Sequence, residues 1–126
     1  MPHRLLAALS MIALVISLGA PACAKGQTLT GRIVDEVCYL QDPKANSGDN
    51  HPGMASDCAT TCAQKGSQVA LVTDDGTLYE LTGGLIANNN AKLIPHIAHT
   101  VEIRGDVTTK YGQLMLVADD LKMLHR

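Results

Sequence analysis

Short stretches in which apolar and polar residues alternate recur along most of the chain, with turn-forming residues between them. This two-residue period is typical of β-strands that bury one face. It predicts five strands and a tail that continues the pairing, at 28–37, 68–73, 77–81, 100–107, 113–118 and 121–124. The pattern therefore indicates a mainly β domain.

Turn residues indicate how neighbouring strands connect. Residues 74–76, Asp-Asp-Gly, fit a three-residue hairpin loop that pairs Leu71 with Tyr79 and holds Gly76 in the left-handed conformation. Tyr and Gly at 111–112 mark a second turn, before the last long strand. Both connections predict antiparallel pairing of consecutive strands.

Two short helices interrupt the strands. One is predicted over 56–65, where Ser56 is the N-cap and Gly66 ends the helix. The other is predicted at 91–94, capped by one of the asparagines at 88–90. Five strands with a helix between the third and the fourth predict a small OB-like barrel, and a β-sandwich is the alternative.

Three segments carry a resemblance to a known group of proteins. They are G-R-I-V-D at 31–35, D-G-T-L-Y at 75–79 and V-E-I-R-G-D-V at 101–107. Together they resemble small secreted bacterial OB-fold-like proteins, whose function is uncharacterised. The resemblance covers most of the chain after the leader and implies the fold, with no chemistry attached.

Residues 1–24 are predicted to be a secretory signal peptide. A weakly basic start precedes an apolar run at 5–18, and small residues then end in an A-x-A pattern, so cleavage is expected after Ala24. The apolar run is shorter than the roughly 20 residues that span a bilayer. A single domain, 25–126, would then be periplasmic or secreted. A lipid anchor at Cys23 is not expected, because the leucine and favoured neighbours before such a cysteine are missing.

Soft metal ligands gather between the first and second strands: Cys38, His51, Met54, Cys58 and Cys62. Cys58 and Cys62 are one helical turn apart, so both sulfurs are expected on one face of the helix 56–65. The polar loop 39–55 is longer than a simple connection, and such loops are often functional. The three thiolates with His51 supply a four-ligand set for zinc, whereas two thiolates with His51 or Met54 suit Cu(I) better. We therefore predict a copper or zinc site and no catalytic residue.

The alternative for the same cysteines is a disulfide from Cys38 to Cys58 or Cys62, which would staple a small exported domain. The protein would then be an OB-like binding module without catalytic activity, and its ligand would be an unknown protein or small molecule. Three cysteines after export allow only one such bridge, so one thiol remains in either case.

The C-x3-C spacing of Cys58 and Cys62 is similar to that of Sco-type copper chaperones and of the dinuclear copper domain of cytochrome oxidase. That similarity is local and implies copper thiolates at these two positions. Ala63 follows where the chaperones have proline, and the flanking strands do not resemble either fold.

Composition argues against a nucleic-acid partner. The net charge is −2, and the three tyrosines are the only aromatic side chains of the Phe, Trp and Tyr class, which leaves few stacking platforms.

Other polar residues are expected to have structural surroundings. Asp35 and Glu36 are expected on opposite faces of a strand. His96 and His99 are expected to contact solvent or backbone, and Met123 to pack against apolar neighbours.

Overall fold

The computed structural model describes the backbone of residues 23–43 and 55–125, and the side chains of these residues except 55–58 and 125. The strands are β1 (Ala24–Asp35), β2 (Val69–Thr73), β3 (Leu78–Thr82), β4 (Thr100–Lys110), β5 (Gln113–Val117) and β6 (Lys122–His125). The helices are α1 (Glu36–Gln41), α2 (Ala55–Gln64) and α3 (Ala87–Asn90), with 3-10 helices at Gly83–Ile86 and Ile94–His96. The predicted signal peptide, up to residue 22, lies outside these residues.

Five strands close into a barrel in the order β1-β2-β3-β5-β4, with β4 returning to pair with β1. The β3–β5 pair is parallel and the other pairs are antiparallel. The predicted OB-like barrel is confirmed, and a sandwich is not formed. The tail was expected to continue the pairing, and it forms a sixth strand, β6, which pairs with β4 outside the closed ring.

Closure depends on Gly31, where β1 passes from one partner to the other. Its first half pairs with β4 and its second half with β2, and Gly31 is paired with both Val101 and Thr73. A Cβ atom at Gly31 would lie 2.4 Å from the carbonyl oxygen of Val72. Only glycine allows the two backbones to approach this closely.

Aliphatic side chains from the five barrel strands and from the segment between β3 and β4 fill the barrel interior. The largest fully buried ones are Ile33, Leu71, Leu81, Leu85, Leu93, Ile103 and Leu116. Each contributes roughly 1.5–3 kcal/mol relative to an exposed position. Ala59 and Ala63 of α2 join this core, which holds α2 against the barrel. Outside it, α1 places Tyr39 on a smaller cluster that includes Val34 and Val72.

The two predicted hairpins are confirmed. Leu71 pairs with Tyr79, and Gly76 has a φ of +82°. Tyr111 and Gly112, with φ of 52° and 77°, connect β4 to β5. The positive φ angles of Tyr111 and Gly112 match a two-residue type I′ turn, whose twist suits a hairpin.

The end of the first strand was predicted two residues too late. β1 ends at Asp35, and the Oδ1 atom of Asp35 accepts a hydrogen bond of 3.0 Å from the backbone nitrogen of Cys38. This N-cap starts α1, a helix that the period-two pattern did not predict. Val37 therefore lies in α1 and not in the strand, and it is 54% exposed.

A short helix between β3 and β4 is confirmed, but its predicted bounds, 91–94, and its capping by asparagine are wrong. Asn88, Asn89 and Asn90 have φ of 54°, 52° and 62°, so the chain makes a left-handed turn within α3. Asparagine adopts this region more readily than other residues with a Cβ. The chain then turns through 91–93 into the 3-10 helix Ile94–His96.

The predicted helix 56–65 is observed with bounds shifted by one residue. Because α2 begins at Ala55, Ser56 lies inside the helix and is not its cap. The predicted stop at Gly66, with a φ of +85°, is confirmed. Within residues 23–43 and 55–125, no helix has the length and apolar character needed to cross a bilayer.

Candidate functional site

A pocket of about 410 Å³ opens where α1 leaves β1 and α2 ends. Its lining residues are Asp35, Val37, Cys38, Cys62, Lys65, Gly66 and Ser67. The fold thus brings together two of the predicted ligands, Cys38 and Cys62, which come from different helices. Cys62 is a free thiol, so no disulfide joins it to Cys38.

Cys38 is positioned by the short helix α1. The Asp35 side chain caps its first turn through the Cys38 backbone nitrogen, and the Asp42 backbone nitrogen closes the other end on the Cys38 carbonyl oxygen at 2.9 Å. Asp35 is fully buried, and its Oδ2 atom has no hydrogen-bond partner among the described residues. A buried carboxyl oxygen without a partner is costly.

Cys62 is positioned by the C-terminal turn of α2. The Ser67 backbone nitrogen donates to the Cys62 carbonyl oxygen at 3.1 Å, and the Gly66 nitrogen donates to the Ala63 oxygen at 3.0 Å. These two bonds form a Schellman motif, in which left-handed Gly66 satisfies the last carbonyl groups of the helix. The last turn, with Cys62 in it, is therefore held in one conformation.

Asn90 reinforces the same helix end from the other side. Its Nδ2 atom donates to the Ala63 carbonyl oxygen at 2.8 Å and to the Ser67 carbonyl oxygen at 3.0 Å. Asn90 itself is 4% exposed. Sequence reasoning missed this role, because the asparagines were predicted to cap a different helix.

The remaining predicted ligands lie outside the described residues. These are His51, Met54 and the side chain of Cys58, whose backbone is the fourth residue of α2. Among the residues that are described, no three His, Cys, Asp or Glu side chains are grouped closely enough to hold a metal. Of the predicted ligands, the structure therefore describes the side chains of Cys38 and Cys62, which line the same pocket.

Glu36 is a buried acid for which the sequence predicted no functional role. Its Oε1 atom accepts a 3.0 Å hydrogen bond from Gln113 Nε2, while Oε2 has no partner within the described part of the chain. Burial, followed by the charges of Glu80 and Asp35, raises the pKa of Glu36, and the Gln113 bond opposes this only in part. Asp35 and Glu36 were expected on opposite faces of a strand. Both are buried instead, because the strand ends between them.

His96 and Met123 form a contact that the sequence did not predict. The Nδ1 atom of His96 lies 3.3 Å from the Sδ atom of Met123. Burial, and then the charge of His99, lowers the pKa of His96. The Nδ1 atom of His99 is itself buried without a partner among the described residues. Neither of these two Nδ1 atoms is therefore simply exposed to solvent: that of His96 contacts Met123, and that of His99 is buried.

A second pocket, of about 280 Å³, lies beside Gly31, where β1 changes its pairing partner. Arg32, Tyr39, Thr73 and Thr100 are among its lining residues. The Nε atom of Arg32 is buried and makes no hydrogen bond to the described residues. This pocket has polar groups that a small ligand could bind.

No protein family, curated protein or solved structure matches this chain.

Proposed function

We propose that this protein is exported to the periplasm or outside the cell and binds a thiophilic metal ion, copper or zinc. For zinc the ligands are Cys38, Cys58, Cys62 and His51, and for copper they are two of the three thiolates with His51 or Met54. Handling of the metal, or redox chemistry on it, is the role that such a site serves.

The pocket shared by Cys38 and Cys62 is the observation that supports this proposal. The two residues belong to separate helices, so the packing of α1 and α2 on the barrel places them in the same pocket. Cys58 precedes Cys62 by one helical turn, and such a spacing lets two sulfurs bind one ion.

The charge around the pocket is also suited to thiolate ligands. Three thiolates on a divalent ion leave a net negative centre, and Lys65 lines the pocket as a cation. The Asp35 cap fixes the backbone of α1 at Cys38, and the turn at Gly66 fixes the backbone of α2 at Cys62. Anchored ligands lose little entropy on binding, which raises affinity.

The direct test is a competition titration of the mature protein with Zn²⁺ and with Cu(I) against a chelator of known affinity. We expect Cys38→Ser and Cys62→Ser each to weaken binding by at least about 100-fold, because a ligand is lost. His51→Ala is expected to weaken binding while leaving the melting temperature of the metal-free protein unchanged. The matched control is Gln64→Ala, at an exposed position of α2.

Wild-type affinity in both cysteine variants would refute the proposal. Unchanged affinity in His51→Ala alone would remove only that residue from the site. Intact mass under native conditions, with thiol counting after chelation, identifies the ion and shows whether all three thiols are free.

A binding module without chemistry is the second candidate, favoured by the pocket at Arg32 and Tyr39. Its unpartnered guanidinium nitrogen suits a small anionic ligand. With a staple from Cys38, Cys38→Ser would lower the melting temperature only under oxidising conditions. A metal-free protein two hydrogens lighter, with one free thiol, would favour this candidate over the first.

A further inference from the structure

The contact between His96 and Met123 brings together two metal-ligating atoms from distant parts of the chain. His96 ends the 3-10 helix that precedes β4, and Met123 belongs to β6, which pairs with β4 outside the barrel. Neither residue belongs to α1 or α2, which hold the cysteines. A role for this pair would therefore go beyond the proposed function.

We propose that His96 Nδ1 and Met123 Sδ are ligands of a second soft-metal site, selective for Cu(I), in which His99 is the third donor. The thioether determines the selectivity. Methionine sulfur is a soft, uncharged ligand that favours Cu(I), whereas zinc in proteins is bound by thiolate, imidazole and carboxylate.

The distance between the two atoms is close to what one shared ion requires. With metal–nitrogen and metal–sulfur bonds of about 2.0 and 2.3 Å, two ligands lie roughly 3.5 Å apart at a tetrahedral angle and roughly 3.7 Å at a trigonal one. The observed separation is 3.3 Å. An opening of a few tenths of an ångström admits the ion, and a small change of the Met123 side-chain torsions supplies it.

The segment that carries the histidines is held firmly against the barrel. The Ala98 nitrogen donates to the Ile33 carbonyl oxygen at 2.7 Å, and the Ile33 nitrogen donates to the His99 carbonyl oxygen at 3.1 Å. Ala98 has a φ of 67°, a conformation that costs energy for a residue with a Cβ. The strain is concentrated between the two histidines, and the backbone bonds on either side of it maintain their spacing.

A buried ring nitrogen of His99 also favours a metal. His99 adds an Nδ1 atom that is buried and has no hydrogen-bond partner among the described residues. A cation bound by both rings would satisfy the orphaned nitrogen, which no group in the described part of the chain does.

Methyl NMR of the protein labelled at its methionine methyl groups tests the site in the whole mature chain. Cu(I), kept reduced with ascorbate under argon, is added until the cysteine site is saturated and then in excess. We expect the Met123 methyl resonance to shift during the second phase, while that of Met115 on β5 stays in place. Zn²⁺ should leave the Met123 resonance unchanged. Met123→Leu and Met115→Leu assign the two signals.

Affinity gives an independent measurement that does not depend on the cysteines. In a Cys38→Ser, Cys58→Ser, Cys62→Ser background, Met123→Leu and His96→Gln should each weaken Cu(I) binding by about tenfold or more, and Met115→Leu by less than about twofold. A Met123 methyl that stays unmoved in excess Cu(I), in the wild-type protein, overturns the proposal even if the triple variant fails to fold. Equal shifts from Zn²⁺ overturn the selectivity for Cu(I).

Discussion

Replacing Asn90 with glycine tests the contact that holds the end of α2 and, with it, Cys62. Glycine keeps the left-handed backbone, since Asn90 has a φ of 62°. The substitution therefore removes the side-chain hydrogen bonds to the Ala63 and Ser67 carbonyl oxygens without adding backbone strain.

The expected loss follows from the burial of the two acceptors. A buried carbonyl group left without its partner costs about 1–3 kcal/mol. The Ala63 oxygen keeps its bond from the Gly66 nitrogen and so avoids this cost, and the bond to the Ser67 oxygen is partly buried, so water replaces part of it. Each bond then contributes about 0.5–1.5 kcal/mol. We expect Asn90→Gly to lower the free energy of unfolding by about 1–2 kcal/mol, or the melting temperature by roughly 5–15 °C.

Urea unfolding followed by circular dichroism measures this loss directly. Asn88→Gly is the matched control, because Asn88 is exposed and has nearly the same φ, 54°. Glycine there should leave stability unchanged or raise it by less than about 1 kcal/mol. Unfolding free energies within about 0.5 kcal/mol for the two variants would refute the claim that Asn90 anchors α2.

Three further predictions follow from the buried acid, the histidine pair and the barrel closure. Glu36→Gln should stabilise the protein at pH 7, because a raised pKa means that the folded state disfavours the ionised acid; the gain should vanish below the ordinary pKa of 4.5, where both states are protonated. The pKa of His96 is lowered, so the free energy of unfolding should fall as pH drops through the ordinary value of 6.5, and His96→Gln should flatten that slope in urea titrations. Gly31→Ala should cost at least about 2 kcal/mol, because its Cβ would meet the Val72 carbonyl oxygen at 2.4 Å, and calorimetry showing a smaller loss would contradict the closure argument.

The fold could be predicted well because its signals are local. Period-two alternation marks the strands, and the loop at 74–76 determines the register of Leu71 with Tyr79. The errors occurred where a side chain decided the backbone. Asp35 ends β1 by capping α1, and the asparagines at 88–90 adopt the left-handed conformation, so neither follows from hydrophobic alternation.

The candidate site could be predicted only in part. Spacing along α2 and the residue types were enough to suggest that Cys58 and Cys62 act together, and the same reasoning added Cys38 from the nearby strand end. Whether Cys38 lies near Cys62 depends on how α1 and α2 dock on the barrel, and the structure places both on one pocket.

By itself, the sequence determined most of the strands and the hairpins, because neighbouring residues define period and turn geometry. The β1–β4 and β3–β5 pairings that close the barrel join strands that are not consecutive in the chain. Only the tertiary structure decided that Asn90 holds the end of α2 and that His96 meets Met123, partners that are 27 residues apart in each case. Such contacts depend on where whole elements pack around the shared core, and no local pattern encodes that arrangement.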